Sequence, residues 1–168
     1  VAFTQAARDA GADRLRYCDT LGFETPATIY RRVKVLAEQV GIPIELHCHN
    51  DLGMAVANSV AGAGGAVDGG VDAYINTSVN GLGERAGQAD LLSCILALKF
   101  AREMDRYEIG DAVDLRVSAR LASYVSYAFG VPIPINQPGV GENAFAHEAG
   151  IHADGALKDR RNYELYDY

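Results

Sequence analysis

The first hundred residues alternate between short apolar runs and longer segments in which apolar residues recur every three or four positions. The short runs are typical of buried strands, and the longer segments are typical of helices with one apolar face. The pattern predicts strands at about residues 14–18, 44–49 and 73–79, each followed by a helix, at about residues 25–40, 54–66 and 89–104. Three strand–helix units in succession favour an α/β fold with a parallel sheet and helical crossovers.

The pattern changes after residue 105. An apolar stripe predicts one more helix around residues 117–128, and three prolines then mark an extended linker. Residues 139–168 are predicted to be mostly loop. We therefore place a boundary that divides residues 1–105 from residues 106–168.

The composition limits the classes of partner. The net charge is −7, which argues against nonspecific nucleic-acid binding because that needs a basic surface. No apolar run reaches the roughly 18 residues that span a membrane. The three cysteines are an odd number without paired spacing, which is typical of reduced thiols in a cytoplasmic protein. The chain opens on Val1 close to a predicted helix, and we expect further sequence upstream of it.

The sharpest chemical signal is the run His47-Cys48-His49-Asn50-Asp51 at the end of the second predicted strand. Side chains alternate along a strand, so the two imidazoles point to one side and Cys48 points to the other. The carboxyl ends of parallel strands are where ligands bind in such folds. The pair is therefore a candidate set of metal ligands. The alternative is a pair of hydrogen-bonded structural histidines.

Two other loops follow predicted strands and carry polar groups. Residues 19–22 offer a carboxylate and a hydroxyl, and residues 80–87 place Glu84 and Arg85 between glycines. The alternative to a binding role is that Asp19 and Glu84 cap helices while Arg85 pairs with one of them. The glycines match neither a P-loop nor a dinucleotide-binding fingerprint.

The tail holds a second constellation, over residues 141–155, with two histidines and nearby carboxylates. We interpret His147 as structural. His152 lies between small residues, which would allow a ligand to come close.

These motifs resemble the homocitrate synthase and 2-isopropylmalate synthase family. The resemblance covers essentially the whole chain and is carried by residues 19–22 together with three longer motifs, His47 to Gly53, Gly81 to Gly87 and His147 to Gly155. It implies a (β/α)8 TIM barrel followed by a small subdomain of helix and loop. Residues 1–105 would hold the last three strands and helices of the barrel, and residues 106–168 a linker helix and the start of the subdomain.

The resemblance also implies a metal site. His47 and His49 would bind a divalent metal such as Zn²⁺, Mn²⁺ or Mg²⁺. After Gly87 the family usually has an asparagine near or on the metal, where this sequence has Gln88, so Gln88 is a weaker candidate ligand. The family's first strand supplies a carboxylate ligand and a substrate-binding arginine. That strand is absent from this sequence, and we expect the isolated chain to be catalytically incomplete.

The implied substrates are acetyl-CoA and a 2-oxo acid. Thr20 would bind the carboxylate of the 2-oxo acid, and His152 with Tyr163 would be catalytic residues from the subdomain. In this family the subdomain reaches the barrel of a partner protomer, which implies a homodimer. No nucleic acid or membrane is expected as a partner.

The leading functional prediction is an acyltransferase of the homocitrate synthase type, which condenses acetyl-CoA with 2-oxoglutarate and hydrolyses the thioester. The alternatives are 2-isopropylmalate synthase and Re-type citrate synthase, and the long Gly-rich stretch from Gly62 to Gly70 keeps the latter open. An alternative of another class is a catalytically incomplete fragment that acts only as a folding or interaction unit.

Overall fold

The computed structural model describes residues 1–109 and 113–166. Three parallel strands form one sheet in the order β1-β2-β3, so β2 is central. The elements are α1 (Ala2–Asp9), β1 (Leu15–Asp19), α2 (Pro26–Val40), β2 (Ile44–Cys48), α3 (Ala55–Asp68), β3 (Ala73–Asn76), α4 (Leu91–Phe100), α5 (Leu115–Phe129) and α6 (Gly150–Lys158). The α/β fold with helical crossovers predicted from the sequence is confirmed.

The sheet has two chemically different faces. On one face, Ile44, Leu46 and Cys48 of β2 are fully buried and belong to the apolar core that α2 and α3 complete. The other face carries the alternate residues, which the parallel register aligns across the three strands. These residues are Arg16 and Cys18 of β1, Glu45 and His47 of β2, and Tyr74 and Asn76 of β3. All polar side chains of the central strand therefore lie on one side of the sheet.

Helices α2 and α3 pack closely because glycines in α3 and at its C-terminal end face α2. A Cβ at Gly65 would lie 2.5 Å from the carbonyl oxygen of Tyr30, and one at Gly69 would lie 2.6 Å from the Cβ of Ala37. A Cβ at Gly62 would lie 2.6 Å from the side chain of Leu46. Much of the stretch from Gly62 to Gly70 is helical, and its glycines allow the backbone of α3 to lie close to α2.

We expect Gly65→Ala to lower the free energy of unfolding by about 1–3 kcal/mol, because the new methyl group overlaps the backbone of Tyr30. Urea denaturation of the full-length protein measures the change. Gly150→Ala is the matched control, since a Cβ there meets no atom within 4 Å. Equal stability of the two variants would contradict the close packing of α2 on α3.

The N-terminal boundaries of α2 were predicted correctly. Thr25 is the N-cap, its hydroxyl accepts the amide of Thr28, and Pro26 follows as the first helical residue. Other elements differ from the prediction. Strand β3 ends at Asn76 and helix α4 spans only Leu91–Phe100, so both are shorter than expected.

Residues 139–166 are mostly loop and turn, as predicted, but they also contain α6, which spans Gly150–Lys158. Its two glycines and small residues give it little apolar periodicity, so the pattern did not reveal it. The stripe at residues 117–128 does form α5, but Val117 and Tyr124 of that stripe are half exposed or more. The boundary after residue 105 stays a prediction. No described helix has both the length and the apolar character needed to cross a membrane.

Candidate functional site at the strand ends

The rings of His47 and His49 lie together at the carboxyl end of β2. Their centroids are 5.0 Å apart and their planes are perpendicular. Cys48, between them, points into the apolar core, where burial raises the pKa of its thiol to about 11. The predicted alternation of side chains is therefore confirmed, and Cys48 stays a protonated core residue.

The environment of each imidazole leaves a nitrogen for a ligand. Nδ1 of His47 lies 2.9 Å from Oδ1 of Asn76, so a proton on Nδ1 is donated to the amide and the lone pair of Nε2 is left free. His49 is 5% exposed, and its Nδ1 is buried without a hydrogen-bond partner. A buried polar atom without a partner is costly, and a bound cation would satisfy it. The pair therefore fits a metal ion.

Backbone hydrogen bonds beside this pair join the segment after β2 to the end of β1 and to the loop after β3. The amide of His49 donates to the carbonyl of Asp19, at 3.2 Å, and the amide of Asn50 donates to the carbonyl of Gly87, at 3.0 Å. Gln88 forms an antiparallel bridge with His49, which places the two residues side by side. The Gln88 side chain rests against Gly83, where a Cβ would lie 3.0 Å from its Cγ.

The loop after β1 is ordered by Asp19, which is 2% exposed. Its two carboxylate oxygens accept the backbone amides of Phe23 and Glu24, at 3.1 and 3.2 Å. Asp19 therefore stabilises the loop that precedes α2, and the helix itself is capped by Thr25. Thr20 lies at the end of β1 and is exposed. Its role as a substrate-binding residue stays a prediction.

The expected roles of Glu84 and Arg85 need correction. Helix α4 is capped by Asp90, whose carboxylate accepts the amide of Ser93 at 2.8 Å, and not by Glu84. Arg85 pairs with Asp51, through Nε to Oδ1 at 2.9 Å and Nη2 to Oδ2 at 3.0 Å. The hydrogen bonds from Arg85 hold the pKa of Asp51 below its usual value. The sequence offered Asp19 and Glu84 as partners and missed Asp51, because nothing local links residues 34 positions apart.

The tail brings His152 and Tyr163 together. Their rings stack with centroids 4.4 Å apart and an interplanar angle of 28°. The stack needs Gly155, because a Cβ there would lie 2.3 Å from Cε2 of Tyr163. His147 lies beside both rings, at 6.1 Å from His152 and 6.2 Å from Tyr163, and its Nε2 is 3.5 Å from Oε1 of Glu164.

The structure thus assembles two groups, one at the strand ends and one in the tail. In the described residues, the ring contacts of His152 are with His147 and Tyr163, and none is with the strand-end pair. Over residues 1–109 and 113–166, no three histidine, cysteine, aspartate or glutamate side chains are arranged to hold a metal ion. Sequence reasoning missed Asn76, although the predicted parallel sheet would have indicated that its strand lies beside that of His47.

Parallel strands that alternate with helices packed on one face of the sheet are the repeating unit of a (β/α)8 barrel, in which active sites lie at the carboxyl ends of the strands. The three strands and their helices form part of such a barrel. The profile of the HMGL-like family matches residues 1–125, and the profile described as homocitrate synthase post-HMGL domain-like matches residues 140–167. The chain belongs to the HMGL-like family.

Two curated relatives and one solved structure illustrate the likeness. The chain is 58% identical to a citrate (Re)-synthase of Dehalococcoides mccartyi over 100% of its own length and 41% of that protein. It is 45% identical to the homocitrate synthase AksA of Methanopyrus kandleri over 97% of its own length and 38% of that protein. The carboxyl transferase domain of Rhizobium etli pyruvate carboxylase aligns at a TM-score of 0.58 and 29% identity, over 74% of this chain and 19% of that one. The chain thus spans about two fifths of the length of these curated relatives.

Proposed function

We propose that this chain forms part of an acyltransferase that condenses acetyl-CoA with a 2-oxo acid and hydrolyses the thioester. The observation that carries the proposal is the pair of imidazoles, 5.0 Å apart, at the carboxyl end of the central strand. Family membership and the two synthases described above support the same reaction class.

His47 and His49 would hold a divalent ion through their ring nitrogens, with Asn76 fixing the ring of His47. Zn²⁺, Mn²⁺ and Mg²⁺ are the candidates. Gln88 lies next to His49 and offers an amide oxygen as a further donor. A carboxylate ligand would come from the family's first strand. When bound, the ion supplies Lewis acidity toward the carbonyl of the 2-oxo acid.

The chain's own side chains would bind the substrate and move protons. The hydroxyl of Thr20 would donate to the carboxylate of the 2-oxo acid at the strand ends. His152 and Tyr163 would take part in removing a proton from the methyl group of acetyl-CoA and in stabilising the enolate oxygen. The methyl carbon then bonds to the keto carbon, and water cleaves the thioester to release free CoA.

We propose oxaloacetate as the first 2-oxo acid to test, ahead of the 2-oxoglutarate favoured by the sequence motifs alone. The relative named citrate (Re)-synthase shares 58% of its aligned residues with this chain, and the one named homocitrate synthase shares 45%. The homocitrate assignment remains the second candidate, since the His47-to-Gly53 and His147-to-Gly155 motifs resemble those of the homocitrate synthase and 2-isopropylmalate synthase family.

The test is a panel assay of the full-length protein with acetyl-CoA and oxaloacetate, 2-oxoglutarate or 2-oxoisovalerate. Release of free CoA is followed with a thiol reagent, and the product is identified by mass spectrometry. We expect kcat/KM to be at least about tenfold higher for one of the first two acids than for 2-oxoisovalerate. A site that binds the second carboxylate of oxaloacetate or 2-oxoglutarate would leave its charged groups unpaired when the apolar side chain of 2-oxoisovalerate occupies it. The absence of CoA release with all three acids would refute the proposed reaction.

The remaining predictions concern the assembly. A homodimer, a cytoplasmic location and the boundary after residue 105 stay predictions. The half-exposed apolar residues of α5, among them Val117 and Tyr124, give the homodimer a surface that association would cover. The oligomeric state of the full-length protein follows from gel filtration with light scattering.

A further inference from the structure

Three loops meet at the carboxyl ends of the strands, and one side chain connects them. We name them the first loop (residues 19–22), the second loop (residues 50–53) and the third loop (residues 80–88). Arg85 of the third loop forms the two hydrogen bonds to Asp51 of the second loop described above. Its Nη2 also donates to the backbone carbonyl of Thr20 in the first loop, at 2.7 Å. A planar guanidinium suits this task because it presents several donors in a fixed geometry.

The backbone of the third loop is shaped to deliver this side chain. Arg85 has a φ of 56°, a conformation that residues other than glycine rarely adopt. Gly87, two residues on, has a φ of 85°, and a Cβ there would lie 2.0 Å from the carbonyl oxygen of Gly81. A strained backbone persists where surrounding contacts hold it, and such residues concentrate at functional sites. The hydrogen bonds from Arg85 to the first and second loops are contacts that hold its backbone in this conformation.

The first and second loops already touch through their backbones. A Cβ at Gly22 would lie 2.8 Å from the amide nitrogen of Asp51 and 2.9 Å from the carbonyl oxygen of His49. The first loop is therefore seated directly on the chain segment that follows the histidine pair. Arg85 reinforces this contact, because its guanidinium binds both the carboxylate of Asp51 in the second loop and the carbonyl of Thr20 in the first loop.

We propose that Arg85 is a positioning residue that clamps the first loop to the second and thereby sets where Thr20 stands relative to the His47–His49 pair. This inference rests on the proposed function, in which Thr20 binds the carboxylate of the 2-oxo acid. Arg85 acts through the loops and touches no reacting atom in this role. The side chain of Arg85 is 42% exposed, and an exposed ion pair contributes little to overall stability, so the clamp should affect substrate position far more than folding.

The test compares Arg85→Ala and Arg85→Lys with a control in the full-length protein. Arg106→Gln is the matched control, because it removes an arginine from an ion pair of similar exposure. The side chains of Arg106 and its partner Asp68 are 52% and 25% exposed, and those of Arg85 and Asp51 are 42% and 28% exposed. In Arg85→Ala we expect KM for the 2-oxo acid to rise by about tenfold while KM for acetyl-CoA stays within about twofold, because only the first substrate is bound by the first loop. Arg85→Lys should resemble Arg85→Ala, since an ammonium group cannot bridge both loops.

A second readout does not depend on activity. Amide hydrogen exchange at Gly22, whose amide donates to the carbonyl of Asp19, should speed up by about tenfold or more in Arg85→Ala and remain unchanged in Arg106→Gln. If the parent protein shows no condensation activity, the proposed function fails and exchange alone decides whether the clamp exists. The clamp is refuted by unchanged exchange at Gly22. Its positioning role is refuted by unchanged KM for the 2-oxo acid, or by full rescue in Arg85→Lys.

Discussion

The His49→Ala variant is expected to lose divalent-metal binding and, with it, condensation activity. The imidazole is 5% exposed, lies against the ring of His47 and carries a buried nitrogen without a hydrogen-bond partner, so its removal deletes one of the two imidazoles proposed to bind the ion. The loss of affinity should exceed the roughly 10–100-fold that removal of an outer-shell partner costs. Isothermal titration of the full-length protein with Zn²⁺, Mn²⁺ and Mg²⁺ measures it, and His47→Ala should behave alike.

The control for this result is His147→Gln, which removes an imidazole from the tail and leaves the strand-end pair intact. Its metal affinity should match that of the parent protein. Retention of full metal affinity in both His47→Ala and His49→Ala would show that the pair is structural, and the proposed role of these residues would then be wrong.

The second large effect is expected from His152→Gln, which should lower kcat by about 10²–10⁴-fold while metal affinity stays unchanged. His152 stacks on Tyr163 at 4.4 Å in a group separate from the histidine pair, so its loss should affect proton transfer and not the metal site. Steady-state kinetics together with titration of the metal separate the two effects. Tyr163→Phe keeps the stacked ring, so it tests the hydroxyl alone.

Ile151→Ala is the control for this substitution, because Ile151 is 73% exposed beside His152 and its truncation should leave kcat within about twofold. Unchanged kcat in His152→Gln would contradict its catalytic role.

The homodimer prediction can be tested with the same variants. If His152 completes the site of a partner protomer, random pairing of His49→Ala and His152→Gln chains should restore about a quarter of the parent activity, since half of the dimers would carry one intact site.

The amino-acid sequence by itself determined the local features of this protein. The alternation of short apolar runs and amphipathic segments predicted the three strand–helix units, and Thr25 with Pro26 predicted the start of α2. The placement of His47 and His49 on one side of β2 also follows from the sequence, because side chains alternate along any strand. Such features depend on neighbours within a few residues, so periodicity and capping residues are sufficient to predict them.

Only the tertiary structure decided which distant groups meet. Asn76 contacts His47 because of the register between β2 and β3, and Arg85 reaches Thr20 and Asp51 because its loop holds a positive-φ backbone. These partners are 29, 65 and 34 residues apart along the chain. No local sequence pattern predicts contacts between residues so far apart, since strand register and loop conformation are set by packing of the whole fold. The sequence therefore supplied the candidate groups, and packing selected the partners.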